Sequence, residues 1–436
     1  MGNFVFKGGL AILDQGLATG VNFVVSIVLA RYLSSEEYGA YALGFAVLLL
    51  LGLLYQALLL EPMGVFGASA YRKSFRSYLR TIVSLHVSIS LVIVVLVGAA
   101  AGIELKVTGQ PTLAGALFGV AVAAPPILLF WMVKRAYYVQ FAPGPSAVGA
   151  ASYCVLTFGI LAFAYVHHRL SPFIAFLSMG LGAFGAGIPL LLYFLRALPP
   201  DTGSTTFSDI WQRHWRYGRW AVASSALAWV PLNIFYPVVS TFSGMSQAGE
   251  LKALANFSAP IGQAVAALST LLLPFASRTQ ERHGSAGGRT LSRWVGLLFI
   301  SAAVLYWSVF LGFREPVFRI LYSGKYMEVA YLLPAIALGS IFWSGFVGPA
   351  NALRAMESPA SVFVAVCCAS VVAVAVGIPA TWHWGLKGAV WSMAAAQGLG
   401  FVAAVILLRR RGRRSSAVEP SRDMEATQPI PTDSLS

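Results

Sequence analysis

Twelve apolar runs, each about as long as a lipid bilayer is thick, follow one another along the chain. A helix needs about 20 apolar residues to cross the hydrocarbon core. Runs of this length occupy residues 10–30, 39–60, 80–101, 111–133, 146–166, 172–195, 217–242, 250–277, 291–312, 329–352, 360–381 and 385–408. They are twice the length of barrel strands and do not alternate polar with apolar residues. The pattern predicts an all-α polytopic membrane protein with about twelve transmembrane helices.

The composition agrees with a membrane protein. Of the 436 residues, 58% are hydrophobic and 11% are charged, whereas a soluble domain carries roughly 25% charged residues. Cys154, Cys367 and Cys368 all lie in apolar runs without CxxC spacing, and the six histidines show no metal-ligand spacing. We therefore expect no disulfide framework, no metal site and no cofactor. No catalytic constellation is visible, so we do not expect an enzyme.

The basic residues predict which side of the membrane each loop occupies. An even number of spans leaves both termini on one side, and most of the 30 lysines and arginines fall in loops on that side. The exceptions are Arg31, Lys106, Arg169, Lys252, Arg314, Arg319, Lys325 and Lys387. Because loops rich in Lys and Arg stay in the cytoplasm, we predict cytoplasmic termini. Attraction to anionic phospholipids then explains the net charge of +14, and nucleic acid is not an expected partner.

A polar stretch in the middle of the chain divides the spans into two sets of six. Residues 1–195 are predicted to form one lobe and residues 217–408 a second. Residues 196–216 contain the Pro, Gly and Ser/Thr residues typical of a linker, and Trp and Arg residues that predict a short helix in the membrane interface. Residues 409–436 open with RRRGRR and are predicted to be a disordered basic tail.

A short repeat also relates the two halves. LSSEEYGAYAL follows the first span, and SGMSQAGELKAL occupies the equivalent place in the second half. Gly39 in the first segment and Gly249 in the second come just before an apolar helix restarts, where glycine permits a tight turn. Glu36 and Glu37 are interpreted as solvated residues of an outer turn. Duplicated halves are common in transporters, which place the substrate site between them.

Polar side chains inside the spans are candidates for function, because a charge near the bilayer centre costs about 3 kcal/mol. Gln15, Thr19 and Asn22 are spaced four and three residues apart on one helical face. We expect this face to look into the bundle or a water-filled cavity. Asp14 borders it and is a candidate for ion coupling; the favoured alternative is a carboxylate solvated near the inner interface.

The predicted substrate-binding residues are Gln15, Asn22, Lys134, Arg135, Arg219, Asn233 and Arg354. The four basic residues of this set flank the predicted cytoplasmic mouth and have the chemistry to hold a phosphate. The alternative is that they only set the topology. The stretch GLGAFG, from Gly180 to Gly185, and the stretch GLATG, from Gly16 to Gly20, lie within spans and favour close packing of neighbouring helices.

Three segments resemble a known family. ARYLSSEEYGAYALGFAV resembles the hallmark that follows the first helix of polysaccharide flippases, the O-antigen and exopolysaccharide branch of the multidrug/oligosaccharidyl-lipid/polysaccharide (MOP) superfamily. LYSGKYMEVAYLLPAIALG resembles that family's entry to the tenth helix, and ALRAMESPA resembles its turn before the eleventh. The similarity spans about residues 1–408. This chain departs from the family in having few basic residues deep within its spans.

The resemblance implies a MATE-like arrangement of two six-helix lobes in a bacterial inner membrane. It implies transport of undecaprenyl-diphosphate-linked oligosaccharide by alternating access, with polysaccharide polymerase and export machinery as partners. Two other functions stay open. Asp14 keeps a cation-coupled multidrug exporter of the related branch in consideration. A membrane glycan polymerase or ligase is less favoured, because such an enzyme is expected to carry a large polar outer loop.

Overall fold

The computed structural model describes the backbone of residues 2–425 apart from residues 202, 204 and 357. It describes the side chains of the same residues except 2–8, 11–12, 270–289 and 412–425. The described residues fold into helices joined by short turns. The helices of the first half are α1 Gly2–Tyr32, α2 Ser35–Tyr55, α3 Glu61–Phe66, α4 Phe75–Thr108, α5 Pro111–Val139, α6 Pro143–Val166 and α7 Pro172–Ala197. A π-helical turn, Gln56–Leu60, joins α2 to α3.

The second half contains eight helices in its described residues. They are α8 Phe207–Asn233, α9 Phe235–Ser243, α10 Met245–Asn256, α11 Ala259–Gly312, α12 Arg314–Tyr322, α13 Leu333–Ala355, α14 Pro359–Ala375 and α15 Gly377–Glu425. Two of them are not straight. The Tyr306 hydroxyl donates to the Phe257 carbonyl at 2.8 Å, so the two ends of α11 lie side by side, and α15 is interrupted at Gly385, where φ is 55°. The backbone of residues 409–425, the first part of the predicted basic tail, continues α15. Residues 426–436 of that tail lie outside the described residues.

The helices reproduce the predicted series of spans. Among the described residues, nine helical segments are long and apolar enough to cross a membrane, and α8 with α9 form a tenth when the bent pair is counted as one span. Two shorter apolar segments, Ala259–Ser269 and Pro359–Ala375, complete the series. The prediction of an all-α polytopic membrane protein is confirmed. These segments give twelve spans, an even number, so α1 begins and α15 ends on the same side of the membrane. This side is called the inner side below, and the sequence predicts that it is cytoplasmic.

Local sequence signals explain where the helices begin. Proline is the first residue of α5, α6, α7 and α14, a position where its missing N–H is not needed. At the start of α2, the Glu37 N–H donates to Ser34 Oγ at 3.2 Å and the Ser34 N–H donates to Glu37 Oε2 at 2.9 Å. This capping box supplies two hydrogen bonds that the end of a helix otherwise lacks. Glu37 therefore has a structural role in the outer turn.

Small residues bring helices together at one of the two predicted glycine motifs. A Cβ on Gly180 would lie 2.8 Å from the Cα of Ala123, so α7 and α5 touch through their backbones. The prediction is confirmed at this motif. It is wrong for Gly16 and Gly20, where an added Cβ would have no neighbour within 4 Å among the described residues. Glycine spacing permits close helix packing, and such packing forms only where a second helix lies against the glycines.

The segment between the two halves is fixed to the first half. Asp201 accepts hydrogen bonds from the backbone N–H groups of Arg76 at 3.0 Å and Ser77 at 2.8 Å, at the start of α4. The Tyr71 hydroxyl, in the turn before α4, donates to Asp209 at 2.5 Å. Burial, together with this carboxylate, raises the pKa of Tyr71 to about 12, so the hydroxyl keeps its proton at neutral pH.

The predicted interfacial helix is continuous with the seventh span, because α8 runs through both. Gly218 does not break the helix. It allows close contact with the first half, since an added Cβ would lie 3.0 Å from the Cα of Leu58. One turn earlier, the buried His214 accepts a hydrogen bond from the Tyr78 hydroxyl at 2.8 Å, and its other ring nitrogen donates to the Leu58 carbonyl at 3.2 Å.

The chain passes from the first half to the second within the seventh span. Pro231 has no N–H for the carbonyl of Leu227, and that carbonyl accepts a hydrogen bond from Ser370 of α14 at 2.9 Å. Pro237 likewise leaves the Asn233 carbonyl without its usual helical donor. The axis bends by 43° at this point, between α8 and α9. The bend is therefore explained by two missing backbone donors.

We predict that Gly180→Val destabilises the protein, because the new side chain overlaps the backbone of α5. Overpacking of this kind costs about 1–3 kcal/mol, and we expect a fall of several degrees in the unfolding midpoint of the purified protein, followed by intrinsic fluorescence. Gly16→Val is the matched control, since it adds the same side chain where no described atom lies within 4 Å of the new Cβ. Equal midpoints for the two variants would contradict the packing described here.

Candidate functional site

The two glycines of the sequence repeat meet at the outer side of the molecule. Helices α2 and α10 cross there, and Gly39 and Gly249 lie at the crossing. A Cβ on Gly39 would overlap the Met245 carbonyl group, and a Cβ on Gly249 would lie 3.0 Å from the Gly39 backbone nitrogen. Neither position tolerates a side chain without separation of the helices. The repeat thus marks the point where the two halves of the protein are in backbone contact.

A buried ring of hydrogen bonds joins the halves next to this crossing. Ser26 of α1 donates to the Asn256 side-chain oxygen at 3.0 Å, and the Asn256 amide donates to the Tyr38 hydroxyl at 2.8 Å. Tyr38 closes the ring with a 2.8 Å contact to Ser26. The Asn256 amide also donates to the Tyr322 hydroxyl at 3.2 Å. Every polar atom of the Asn256 side chain is therefore satisfied, as a buried amide requires.

The outer loop after α12 adds a second link between the halves. The Lys325 ammonium donates to the carbonyls of Arg31 at 2.9 Å and Leu33 at 3.0 Å. The Arg31 guanidinium donates back to the Ile320 carbonyl at 3.0 Å. Carbonyls at the end of α1 have no partner within their own helix, and a cation is stabilised there. The outer side of the gap between the halves is thus closed by backbone and side-chain contacts.

One face of α1 lines the gap between the halves. Thr19 donates to the side-chain oxygen of Gln263 in α11 at 3.4 Å, and Ser26, seven residues further along the helix, reaches Asn256. Between them, Asn22 is half-buried, and its side-chain oxygen has no hydrogen-bond partner among the described residues. Gln15, at the inner end of the same face, is exposed. This is the face that the sequence predicts to look into the bundle.

Asp14 points away from this face and is buried inside the first half. Its carboxylate lies 2.7 Å from the ammonium of Lys134 and accepts hydrogen bonds from Tyr138 at 2.7 Å and Ser146 at 3.1 Å. Asp14 is 1% exposed, so the expectation of a solvated carboxylate is wrong. Two residues predicted for different roles, ion coupling and substrate binding, instead bind each other.

The structure does not gather the other predicted residues into one site. Arg135 is half-buried beside Gly64, and Arg219 is exposed over the ring of Trp220. Asn233 donates to a carbonyl of its own helix at 3.2 Å. Arg354 donates to the Asn351 side-chain oxygen at 3.1 Å within α13. Their roles in substrate binding therefore stay predictions.

Lys252 is a further candidate, although its place in the sequence predicts a position in an outer loop. It lies in α10, one helical turn past Gly249, and its ammonium is 4.4 Å from the centre of the Phe45 ring in α2. At about 1.5 Å per residue, Lys252 lies about 4.5 Å along α10 from the crossing at Gly249, and Phe45 lies about 9 Å along α2 from Gly39. Among the described side chains, no carboxylate lies within ion-pair distance of Lys252. It is a half-buried cation between the two halves.

Correct placement of the start of α10 would have identified Lys252 as a candidate from the sequence. The hydrophobic run of the sequence begins at residue 250, and a lysine two residues later is therefore predicted to lie at the membrane edge. The helix instead begins at Met245, directly after Gly244, whose φ of 94° makes the turn. This turn places Lys252 seven residues into the helix and inside the gap between the halves.

Comparisons with known proteins identify the fold. No protein-family model matches the chain, and no curated protein matches its sequence. Among solved structures, an inward-facing multidrug resistance MATE family transporter of the MOP superfamily matches with a TM-score of 0.76 and 11% identity, over 93% of this chain and 99% of that chain. The lipid II flippase MurJ, in an inward closed conformation, matches with a TM-score of 0.70 and 11% identity, over 93% and 87% of the two chains.

The outward-facing conformation of a multidrug resistance MATE family transporter gives a lower TM-score of 0.63, with 11% identity over 94% of this chain and 95% of that chain. The chain is a multi-pass membrane protein with the MOP-superfamily fold. The resemblance noted in the sequence is confirmed at the level of the superfamily fold.

We predict that Asn256→Ala destabilises the closed arrangement. It leaves the buried hydroxyl groups of Tyr38 and Tyr322 without the amide, which costs about 1–3 kcal/mol and lowers the unfolding midpoint. Asn233→Ala is the matched control, because the Asn233 amide bonds within its own helix. A midpoint for Asn256→Ala equal to that of the control would show that the ring does not hold the halves together.

We also predict that Asp14→Asn is strongly destabilising, because it leaves the Lys134 ammonium buried without its counter-charge. Removing one partner of a buried pair costs about 3–5 kcal/mol. The double variant Asp14→Asn with Lys134→Met removes both charges and should recover much of the loss. Measurement of the three unfolding midpoints tests this, and a single variant as stable as the wild type would rule out the ion pair.

Proposed function

We propose that this protein transports an undecaprenyl-diphosphate-linked oligosaccharide across the bacterial inner membrane by alternating access. The observation that carries the proposal is Lys252. A charged group inside the membrane is costly and is retained where it has a partner or a task. Since no described carboxylate pairs with this ammonium, we infer that its partner is an anion of the substrate, and a diphosphate is such an anion.

The surroundings of Lys252 support this assignment. The Phe45 ring stabilises the ammonium by a cation–π contact and holds it between the two halves. The α1 face with Gln15, Thr19 and Asn22 offers amide and hydroxyl groups toward the inner side, and such groups form hydrogen bonds with sugar hydroxyls. In this arrangement the diphosphate binds below the crossing of α2 and α10, the glycan lies along α1, and the lipid chain stays in the bilayer.

The outer contacts provide a means of alternating access. Separation of Gly39 from Gly249, with loss of the Asn256 ring and of the Lys325 contacts, would open the site to the outer side. The helices on either side of this gap belong to different halves, so they can separate as rigid bodies. The bent seventh span, which passes from one half to the other, is the connection that must accommodate the movement.

A cation-coupled multidrug exporter is the second candidate, and the buried Asp14 is the observation that favours it. A coupling cation would have to replace the Lys134 ammonium, which already lies 2.7 Å from the carboxylate. A proton would have to neutralise Asp14 and leave that ammonium without its counter-charge, at considerable cost. These contacts favour a fixed internal ion pair and weigh against this candidate.

Deletion of the gene and complementation with variants tests the proposal. We predict that the deletion strain accumulates undecaprenyl-linked repeat units on the cytoplasmic leaflet, measured by lipid extraction and mass spectrometry. Wild-type protein and Lys252→Arg should remove the accumulation, because both keep the cation. Lys252→Gln should leave most of it, since losing a charged hydrogen bond of about 1.5–3 kcal/mol weakens binding about tenfold or more.

Lys106→Gln is the matched control, because Lys106 lies in the last turn of α4, outside the gap between the halves. It should behave as the wild type. Unchanged lipid intermediates in the deletion strain, together with new sensitivity to drugs, would contradict the proposal and favour the exporter. Full complementation by Lys252→Gln would remove Lys252 from the mechanism.

A further inference from the structure

A groove lies on the second half of the protein, between α11, α13 and α15. Its volume is about 340 Å³, within the range of about 300–1,000 Å³ typical of ligand pockets. The described residues that line it all belong to the second half. Its apolar wall includes Leu297, Ile300, Phe401, Val405 and Leu408. The groove is therefore distinct from the gap between the halves, where Lys252 lies.

The groove exists because α11 and α13 meet where neither helix carries a large side chain. A Cβ on Gly348 would lie 3.0 Å from the Gly296 backbone nitrogen, so the two helices are in backbone contact there. A Cβ on Gly345 would lie 3.0 Å from Ile300 and 3.1 Å from Phe401. Ile300 and Phe401 therefore lie on either side of Gly345. Because Gly345 has no side chain, the surface between them stays open.

Two arginines lie at the other end of the same groove. Arg293 lies seven residues before Ile300 in α11, and Arg409 lies eight residues after Phe401 in α15. At about 1.5 Å per residue, both are about 10–12 Å from the Ile300 level. Both line the groove and are exposed, and neither pairs with a carboxylate among the described side chains. The groove is apolar along its length and doubly positive at one end.

The end with the arginines is on the inner side. Arg409 is the first residue of the basic run that follows the last span, and the tail lies on the side predicted to be cytoplasmic. A lipid in the inner leaflet has the matching arrangement, with its phosphate at the membrane surface and its chains in the hydrocarbon core. The arginine guanidinium forms paired hydrogen bonds with phosphate oxygens and suits this contact better than the compact ammonium group of a lysine does.

We propose that this groove binds an anionic phospholipid of the cytoplasmic leaflet, with an acyl chain along Leu297, Ile300 and Phe401 and the phosphate between Arg293 and Arg409. Two guanidinium groups without a carboxylate partner among the described side chains favour a headgroup with net negative charge, because a zwitterionic headgroup brings its own ammonium. Since the lining belongs to one half, the lipid remains bound while the two halves move. This inference is independent of the proposed transport function.

Native mass spectrometry of the full-length protein, titrated with phosphatidylglycerol or phosphatidylcholine, tests the proposal. The wild type should bind phosphatidylglycerol about tenfold more tightly than phosphatidylcholine. Arg293→Gln with Arg409→Gln should remove this preference, because it removes both charged contacts, each of which contributes strongly to binding. Arg196→Gln with Arg410→Gln is the matched control. It removes two exposed charges that the same topology places on the inner side, outside the groove, and should keep the preference.

Val405→Trp is a second variant that fills the groove and leaves both arginines in place. It should weaken phosphatidylglycerol binding about as much as loss of the arginines does. Wild-type binding by this variant, or equal losses in the two double variants, would overturn the proposal and indicate attraction to general surface charge. Displacement of phosphatidylglycerol by a lower concentration of undecaprenyl phosphate would also overturn it, because the groove would then prefer the lipid carrier.

Discussion

The crossing of α2 and α10 at Gly39 and Gly249 is the contact on which the rest of the arrangement depends. Without side chains at these positions, the backbones of the two halves touch at the outer side. The Asn256 ring and the Lys325 contacts form around that point because the helices that carry them are already close. The same crossing gives Lys252 its position between the halves. A larger residue at either glycine would disturb all three features together.

The charges of the protein divide into satisfied and available groups. Asp14 and Lys134 neutralise each other inside the first half, and Lys325 is held by carbonyls at the end of α1. Lys252, Arg293 and Arg409 have no carboxylate partner among the described side chains. The first of these lies between the halves and the other two border an apolar groove. Such cations in a membrane protein are suited to contact phosphate, and the two proposed binding sites rest on them.

The order of the spans and the shared face of α1 were predictable, because they follow from hydrophobic runs and from the helical spacing of polar residues. The pairing of Asp14 with Lys134 was not, since it joins residues of α1 and α5 that lie 120 positions apart in the sequence and come together only in the folded bundle. Lys252 was missed because its helix begins at a glycine turn before the hydrophobic run does. Gly16 and Gly20 show the reverse error, a favourable local pattern where an added Cβ would meet no described atom within 4 Å.

We propose above that Lys252 receives the phosphate of a transported lipid. A cryo-electron microscopy structure of the wild-type protein in lipid nanodiscs with added undecaprenyl diphosphate would show where the diphosphate binds. We expect a phosphate oxygen about 2.8 Å from the Lys252 ammonium, with Gly39 and Gly249 still in contact above it. A diphosphate bound elsewhere, for example at Arg135 or Arg354, with Lys252 left without contact to it, would contradict this role of Lys252.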